Sequence, residues 1–451
     1  MELKGKKVVI VGLAKTGWDV ANFLLEKGVD IYVTEEKKDF EVIEKAEKLK
    51  KIGIKVELGF HSEKFLEKAD IVIPSPGVSP ESLPIKWAIG KKVPLISEIE
   101  LSYLFSPSKK IIAITGTNGK TTTTSLCGFL FKNACLPYVI CGNIGNTFIG
   151  EIKKIKNNTW IILEVSSFQL EYIDKFKPYI GVLLNITPDH LDRYPSMEEY
   201  INAKFNLFKN QTEKDWAVLN YKDFYCREIA SKIKGEKCFF SINKINRGVF
   251  LKNQKIVSDF KFKGEIISIE ESSLFGLGNI YNMLAVTSIG LICDINPEII
   301  RETFKTFKTL PHRLEKVYKK NGIVFINDSK ATNVDAVKKA LESFPQIGKI
   351  ILIMGGKDKG FSFKELSNLV RKKVKNLILL GETKEKIAKD LKKTEVNIDF
   401  VDNMKQAVNL AFKKAKKEDI ILLSPGCSSF DMFKNYQERG DVFKKEVKSL
   451  L

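Results

Sequence analysis

Short apolar runs alternate with segments of helical periodicity along most of the chain. Runs such as residues 111–114, 160–165, 179–186 and 349–354 have the length of buried strands. The segments between such runs repeat apolar positions at spacings of three and four residues, which is typical of amphipathic helices. Strands that alternate with helices in this way predict parallel sheets covered by helices. We therefore expect an α/β protein.

The first 105 residues predict a small parallel α/β domain. An apolar strand runs into Gly12-x-Ala14-x-x-Gly17, a degenerate form of the dinucleotide-binding fingerprint, although a structural glycine turn explains this pattern about as well. A second strand, residues 29–33, ends at Thr34-Glu35-Glu36, close to where the acid of a fingerprint would lie. A further strand at 69–74 runs into Ser75-Pro76-Gly77, and residues 105–110 are typical of a linker.

A phosphate-binding loop is predicted directly after this linker. The apolar run at 111–114 leads into a glycine-bearing turn, and Gly119-Lys120-Thr121 opens a helix, so backbone N–H groups would face an anion. Lys120 would add a cation and the Thr121 hydroxyl would hold Mg²⁺. The loop departs from the usual pattern because Ile114 stands where the first glycine is expected. Gly-Thr-Asn-Gly is also a plain turn, but its strand and helix context favours a nucleotide site.

Three ionisable side chains in the following segment are candidates for chemistry. Glu164 interrupts the apolar strand at 160–165, where an unpaired carboxylate is costly. His190 follows the run at 179–186, and Lys204 lies on a helix capped by Ser196. The carboxyl ends of strands are where open α/β sheets bind ligands, although His190 alone is equally an ordinary loop histidine. Residues 239–275 predict a β-rich insertion, followed by a helix at 279–292.

The strand–helix pattern restarts near residue 310 and predicts a further parallel α/β domain. Its strands are expected at residues 323–327, 349–354, 377–380, 396–400 and 420–423. Polar turns follow three of them, at 328–333, 355–360 and 424–429, and the last two contain glycine. Three such turns on one sheet edge indicate a second binding face, unless they are mere connections.

Composition excludes several classes of protein. A length of 451 residues fits about three domains, and 44% hydrophobic residues suffice to bury several cores. We find no 18-residue apolar window, no apparent signal peptide and no C-x-x-C pair among the seven cysteines, so we expect a reducing cytoplasm and no membrane insertion.

The net charge of +19 comes mostly from dispersed lysines with interleaved glutamates. It therefore favours solvated helix faces and anionic substrates over nucleic acid.

Taken together, the motifs resemble those of the Mur ligases, the ATP-dependent family that adds amino acids to the peptidoglycan precursor. The resemblance rests on TGTNGKTT (115–122), LEVSSFQL (163–170), NITPDHLDRY (185–194), YINAKFNLF (200–208), LPHRLE (310–315) and NDSKATN (327–333). It implies a Rossmann-like UDP-substrate-binding domain (1–106), a P-loop ATPase-like ATP-binding domain with a mostly parallel sheet and the small β-rich insertion (107–309), and a Rossmann-like amino-acid-binding domain (310–451).

Within the family, the chain is most similar to the bacterial member that joins D-glutamate to UDP-N-acetylmuramoyl-L-alanine. The likeness rests on SSFQLE (166–171), GGKDKG (355–360) and SPGCSSFDMFKNYQERGDVF (424–443). The resemblance implies ATP, two Mg²⁺ sites, an acyl-phosphate intermediate and a monomeric, cytoplasmic enzyme for cell-wall synthesis.

The resemblance also implies a role for each candidate residue. The catalytic set is Lys120, Glu164, His190 and Lys204, and the metal ligands are Thr121, Glu164, His190 and a carbamylated Lys204. ATP would contact Gly116, Thr117, Asn118, Gly119, Lys120, Thr121, Thr122, Asn282, Arg313 and Asp328. The two other substrates would contact Thr16, Asn143, Ser166, Lys330, Thr332, Lys359, Ser429 and Phe430.

Two departures from the family pattern leave alternatives open. Gly278 replaces the histidine of the usual G-x-H-N-x-x-N motif, and Lys15 with Glu35-Glu36 are unorthodox at positions expected to face uracil. A Mur-type ligase for another amino acid or acceptor is therefore one alternative. A P-loop binding protein without ligase chemistry is the other, but it would not need Glu164, His190 and Lys204 together.

Overall fold

The computed structural model describes residues 2–190, 193–274, 276–308, 311–344 and 347–450. The chain divides into two compact units. Unit 1 comprises Met1–Ile267 and Asn282–Thr303, and unit 2 comprises Ser268–Tyr281 and Phe304–Leu451. The predicted boundary at 309/310 and parts of the motifs at 185–194 and 310–315, namely Leu191, Asp192 and Leu310, lie outside the described residues.

Unit 1 begins with a four-stranded sheet in which all described pairs are parallel, in the order β3-β2-β1-β4. Its strands are β1 (Lys7–Val11), β2 (Asp30–Glu35), β3 (Lys55–Leu58) and β4 (Ile71–Pro74). The helices around it are α1 (Lys15–Leu25), α2 (Phe40–Lys51), α3 (Glu63–Leu66), α4 (Leu83–Gly90) and α5 (Glu98–Phe105). Val8, Val9 and Ile10 are fully buried, as expected for a central strand covered on both faces.

A nine-stranded sheet follows in the order β13-β12-β11-β10-β9-β8-β5-β7-β6. Its strands are β5 (Ile111–Thr115), β6 (Tyr138–Gly142), β7 (Trp160–Glu164), β8 (Ile180–Leu183), β9 (Trp216–Asn220), β10 (Glu236–Ser241), β11 (Gly248–Lys252), β12 (Lys255–Phe260) and β13 (Phe262–Ser268). The pairs from β6 to β11 are parallel, and β11 pairs with β12 antiparallel. The predicted β-rich segment therefore continues the central sheet.

The helices of this central part place the motifs at the carboxyl ends of the strands. They are α6 (Lys120–Asn133), α7 (Phe148–Glu151), α8 (Ser167–Leu170), α9 (Met197–Phe205), α10 (Phe224–Ala230), α11 (Leu277–Ile292) and α12 (Pro297–Thr306). The predicted cap of α9 is confirmed, because the Ser196 hydroxyl accepts a hydrogen bond from Glu199 N. Helix α11 begins two residues before the predicted start.

Unit 2 contains a six-stranded sheet in the order β14-β15-β19-β16-β17-β18. Its strands are β14 (Glu315–Lys320), β15 (Ile323–Asn327), β16 (Ile350–Met354), β17 (Val374–Leu379), β18 (Asn397–Phe400) and β19 (Ile420–Leu423). β14 is antiparallel to β15, and the other pairs are parallel. The helices are α13 (Val334–Glu342), α14 (Ser367–Lys373), α15 (Lys384–Leu391), α16 (Met404–Lys414) and α17 (Tyr436–Lys448).

These three mostly parallel sheets confirm the predicted α/β class. Strands β15 and β19 match their predicted bounds, whereas β8 is shorter at both ends than the apolar run at 179–186. Among the described helices, none is long and apolar enough to cross a membrane.

Candidate active site

The phosphate-binding loop connects β5 to α6 and needs its glycines. Gly119 is the N-cap of α6 with φ +92°, a left-handed conformation that favours glycine. A Cβ at Gly119 would also lie 2.6 Å from Oδ1 of Asn282, so glycine is needed for space as well. Gly116 has φ +148°, whereas Ile114 is fully buried in the strand. The loop therefore turns at Gly116 and Gly119 without the usual first glycine.

Neighbouring asparagines hold the loop in place. Asn118 N donates to Asn185 Oδ1 and Asn185 Nδ2 donates back to Asn118 O, both at 2.9 Å. The Thr123 hydroxyl donates to Asn282 Oδ1 at 3.0 Å, which brings the predicted Asn282 to the first turn of α6. Asn185 begins the motif at 185–194 but was not predicted as a site residue. Its paired contact with the loop makes it a supporting residue.

Lys120 lies over this loop. Its ammonium donates to Gly116 O at 2.7 Å and to Thr117 O at 2.9 Å. Thr121 is partly exposed in the first turn of α6, and Thr122 is buried. The helix N-terminus and the lysine give this end of β5 a positive potential that suits phosphate oxygens.

Lys204 reaches the same loop from α9. The side chain is 2% exposed, and its Nζ donates to Gly116 O at 3.2 Å and lies 4.7 Å from the ring centroid of Tyr200. Burial holds the pKa of Lys204 well below its usual value of 10.5, and the charge of Lys120 lowers it further. The amine is therefore shielded from water. A neutral amine is the form that reacts with CO₂.

Glu164 is the last residue of β7 and is 1% exposed. Its Oε1 accepts a hydrogen bond from Asn143 Nδ2 at 3.0 Å, so the structure brings these two predicted residues together. Oε2 is buried and has no hydrogen-bond partner among the described residues. A buried carboxylate oxygen without a donor is costly, which makes this atom suitable for a cation.

His190 lies among aromatic rings. Its imidazole centroid is 4.8 Å from that of Phe168 in an edge-on arrangement and 6.4 Å from that of Tyr200. The Tyr200 hydroxyl lies 3.0 Å from the Thr117 hydroxyl, so the cluster reaches the phosphate-binding loop. The His190 side chain is 42% exposed, which leaves it accessible to a ligand.

Two further predicted substrate residues, Ser166 and Thr16, lie at the N-terminal ends of helices in unit 1. Ser166 forms a capping box with Gln169, so its hydroxyl already caps α8. Thr16 lies partly buried in the first turn of α1. Nearby, the unorthodox Glu35 accepts hydrogen bonds from the backbone N–H groups of Leu13 and Lys37 at 2.7 and 2.8 Å. Its carboxylate therefore shapes the glycine turn of the first sheet.

In unit 2, Asp328 follows β15 and is 8% exposed. Burial raises its pKa to about 7, opposed by hydrogen bonds from Leu314 N and the Ser424 hydroxyl and by the charge of Arg313. Arg313 itself is partly exposed. The structure thus brings these two predicted nucleotide-binding residues close enough to interact.

The predicted amino-acid residues lie on three turns of unit 2. The Lys330 ammonium is 3.8 Å from the ring centroid of Tyr436. Ser429 is 2% exposed, Phe430 is 68% exposed, and Lys359 is exposed. Thr332 is partly buried just before α13. Lysines and hydroxyls on one sheet edge form a set that suits a dicarboxylate.

Arg439 holds two of these turns together and was not predicted. It is 2% exposed, and it donates to Cys427 O at 3.1 Å, Ser428 O at 3.2 Å, and both Ser329 O and the Ser329 hydroxyl at 2.9 and 3.0 Å. Burial lowers its pKa to about 10. It lies within the motif at 424–443, and this motif is the sequence feature that could have identified it.

One atom of the predicted ligand set, Oε2 of Glu164, is suited to a cation. No three His, Cys, Asp or Glu side chains gather into a metal site in the part of the chain that the structure describes. The predicted ligand set contains only two such residues, Glu164 and His190, so this finding is compatible with it. The unpaired Oε2 of Glu164 is the observation that supports a cation here.

Comparisons with known proteins cover the whole chain. Three family models match: "Mur ligase MurD-like, N-terminal domain" at residues 6–97, "Mur ligase middle domain" at 114–290 and "Mur ligase, glutamate ligase domain" at 312–427. A UDP-N-acetylmuramoylalanine–D-glutamate ligase from Caldicellulosiruptor bescii is 44% identical, over 100% of this chain and 99% of the relative. One from Clostridioides difficile is 42% identical, over 100% of both chains.

A solved structure has the same fold. The UDP-N-acetylmuramate–alanine ligase of Thermotoga maritima aligns with a TM-score of 0.61 at 20% identity, over 99% of this chain and 100% of that chain. This likeness concerns the fold alone.

Proposed function

Because the chain belongs to the Mur ligase family, we propose that it catalyses the ATP-dependent addition of D-glutamate to UDP-N-acetylmuramoyl-L-alanine, a step of peptidoglycan synthesis in the bacterial cytoplasm. The observation that carries this proposal is the full-length identity to relatives of that name. The gathering of Lys120, Glu164 and Lys204 at one end of the central sheet supports it. The enzyme is an amide-bond-forming ligase that releases ADP and phosphate and acts as a monomer.

The reaction first activates the acceptor's carboxylate. The L-alanine carboxylate attacks the γ-phosphate of ATP, and the resulting acyl phosphate is attacked by the amine of D-glutamate, which expels phosphate. Phosphoryl transfer between anions requires alignment and neutralisation of charge more than covalent help from the protein. Lys120 and the backbone N–H groups at the N-terminus of α6 supply this by binding the phosphates of ATP.

Magnesium would be held at two sites by Thr121, Glu164, His190 and Lys204 as a carbamate, and it would neutralise charge between phosphate and carboxylate. Glu164 offers its unpaired Oε2, while Asn143 holds its other oxygen. His190 is an unusual ligand for so hard an ion. Phe168 and Tyr200 fix the orientation of its ring.

Lys204 needs a modification to suit this site, because an ammonium group repels metal ions. Its burial and the charge of Lys120 favour the neutral amine. The amine nitrogen bonds to the carbon of CO₂ and releases a proton to solvent, which leaves an anionic carbamate. The low water content around a 2% exposed side chain would protect the carbamate from hydrolysis.

The remaining residues divide between the acceptor, ATP and D-glutamate. Residues 1–106, with Thr16, and the residues Asn143 and Ser166 bind the UDP-linked acceptor. Residues 107–309 bind ATP with Asn282, and Arg313 and Asp328 contact its ribose and phosphates. Residues 310–451 bind D-glutamate through Lys330, Thr332, Lys359, Ser429 and Phe430, which match the charge of a dicarboxylate.

Measurement of ADP release with UDP-N-acetylmuramoyl-L-alanine and a panel of amino acids tests the proposal. We expect release that depends on both the acceptor and D-glutamate, with L-glutamate, lysine and diaminopimelate inactive. Release driven by another amino acid would indicate a different member of the family. ATP binding without release in the presence of any amino acid would favour a protein without ligase chemistry.

A further inference from the structure

An arginine of unit 1 connects the turn after β4 to the central sheet. Arg193 donates Nη1 to the carbonyl of Val78 at 2.7 Å. Val78 closes the turn that starts at Ser75, because its N–H donates to Ser75 O at 3.0 Å. This turn lies at the carboxyl end of β4, the edge at which parallel sheets bind ligands.

Glu171 fixes the orientation of this arginine. Arg193 Nε donates to Glu171 Oε1 at 3.0 Å, and Nη2 donates to Oε2 at 2.6 Å. The Tyr194 hydroxyl donates to the same Oε1 at 2.6 Å. The two charged side chains are only 12% and 13% exposed, so water screens their interaction weakly. A two-pronged contact of this kind fixes the plane of the guanidinium, which a lysine ammonium could not do.

The same guanidinium supports the ring on which His190 packs. Arg193 Cζ lies 4.5 Å from the ring centroid of Phe168, and the Phe168 ring meets His190 edge-on at 4.8 Å. A contiguous series of contacts thus runs from Val78 through Arg193 and Phe168 to His190. Each contact is directional, so a shift of the turn or of the guanidinium changes the position of the imidazole.

We propose that Arg193 is a positioning residue that couples the Ser75–Val78 turn to His190, so that binding of the UDP-linked acceptor aligns the reacting centre. This inference rests on the proposed function, which assigns the first sheet to the acceptor and His190 to the reaction. Arg193 touches none of the three substrates in this scheme and acts through Phe168 and Val78. Misplacement of a reacting group by about 1 Å can cost about 100-fold in rate, so such a contact has a measurable effect.

A cavity of about 610 Å³ beside Arg193 makes the proposal testable by chemical rescue. Glu171, Tyr194 and Asn202 are among the residues that line it. In Arg193→Ala, the carboxylate of Glu171 would face this cavity. A small guanidinium compound can therefore enter and take the place of the missing group.

The experiment compares Arg193→Lys and Arg193→Ala with the matched control Arg227→Lys. Arg227 also donates Nη1 to a carbonyl, that of Tyr221 at 2.7 Å, and lies over the ring of Tyr221 at 5.7 Å. We expect Arg193→Lys to lower kcat/KM for the acceptor by about tenfold or more, with the KM for ATP within about twofold and an unchanged unfolding temperature. Arg227→Lys should match the wild type. Methylguanidinium should restore part of the activity of Arg193→Ala, and methylammonium should not.

Two results overturn the inference. One is an Arg193→Lys variant with wild-type kcat/KM. The other is an Arg193→Ala variant that unfolds at a lower temperature, loses affinity for all substrates in parallel and is not rescued, because that pattern describes a purely structural residue. A wild-type protein inactive with D-glutamate refutes the proposed function instead. In that case the activities of the variants and of the wild type are measured with the amino acid that the protein accepts. Equal activities would still refute the coupling between the turn and His190.

Discussion

Unit 1 should lose stability as the pH rises toward neutrality, and Glu98→Gln should remove this loss. Glu98 is the first residue of α5 and is 1% exposed. Its Oε1 accepts hydrogen bonds from Ile149 N at 2.6 Å and from the Ser102 hydroxyl at 3.0 Å, whereas Oε2 has no partner among the described residues. Burial, with a smaller contribution from Asp19, raises its pKa from 4.5 to about 7.

The sign and size of the effect follow from this pKa. Below pH 4.5 the carboxyl group is protonated in both the folded and the unfolded chain, so it contributes no pH dependence. Between pH 4.5 and about 7 the folded chain keeps a proton that the unfolded chain has released, so the free energy of unfolding falls as the pH rises. This pKa difference of about 2.5 units lowers the free energy of unfolding by at most about 3 kcal/mol.

Glu100 provides a matched control on the same helix. It is also 1% exposed, but it accepts three backbone hydrogen bonds at 2.9 Å, from Asp174, Lys175 and Phe176. Glu100→Gln places an amide NH₂ against these donors. It should therefore destabilise unit 1 by about 1–3 kcal/mol. Glu98→Gln should instead be as stable as the wild type near pH 5 and more stable near pH 8.

Urea unfolding followed by tryptophan fluorescence measures these differences. All four tryptophans, at positions 18, 87, 160 and 216, lie in unit 1, so the signal reports on that unit. Transitions between pH 5 and 8 give the stability of each variant. If the free energies of unfolding of the wild type and of Glu98→Gln change in parallel over this range, a group other than Glu98 causes the pH dependence. If Glu98→Gln is the less stable protein at pH 8, the unpaired oxygen carries no penalty and the reasoning is wrong.

Two further substitutions probe the central site of unit 1, and a third tests the stability of a helix that begins in unit 2. Lys120→Ala should lower kcat for ADP release by about 10²–10³-fold. The control Lys132→Ala, in the last turn of the same helix, should not lower it. Near-normal ADP release by Lys120→Ala would refute the phosphate-binding role. Lys204→Ala should be nearly inactive and partly rescued by acetate, and a fully active Lys204→Arg would show that a plain cation suffices. Gly278→Ala should raise the free energy of unfolding by up to about 1 kcal/mol, since a Cβ there meets no atom within 4 Å; a decrease in stability would contradict this.

The fold was largely predictable because apolar runs bounded by polar residues identify buried strands. Where polar residues enter a strand, the prediction failed at its boundary. β17 starts at Val374 rather than at 377, because Lys375 pairs with Asp419 at 2.7 Å and can therefore lie within the strand. The order of strands in each sheet was not predictable, since it depends on contacts between distant residues.

Sequence reasoning proposed residues for the site but did not identify the partners that the structure places beside them. Glu164 and Asn143 were both predicted, yet their contact depends on the parallel pairing of β6 with β7. Asn185 was overlooked because its partner is the backbone of the phosphate-binding loop. Sequence patterns identify residues that carry chemistry more readily than residues that hold a loop in place.

The supporting residues share a physical feature that explains why they were missed. Arg439 and Glu100 are buried charges that bond mainly to backbone groups. Arg439 donates to three backbone carbonyls and to the Ser329 hydroxyl, and Glu100 accepts from three backbone N–H groups. A buried charge is costly unless it is paired or hydrogen-bonded, and backbone dipoles supply that compensation here. Every residue has a backbone, so no side-chain spacing reveals such a partner. The contact fixes a turn by its main chain and leaves the side chains of the turn available for substrates, as at Ser429 beside the carbonyls that Arg439 holds.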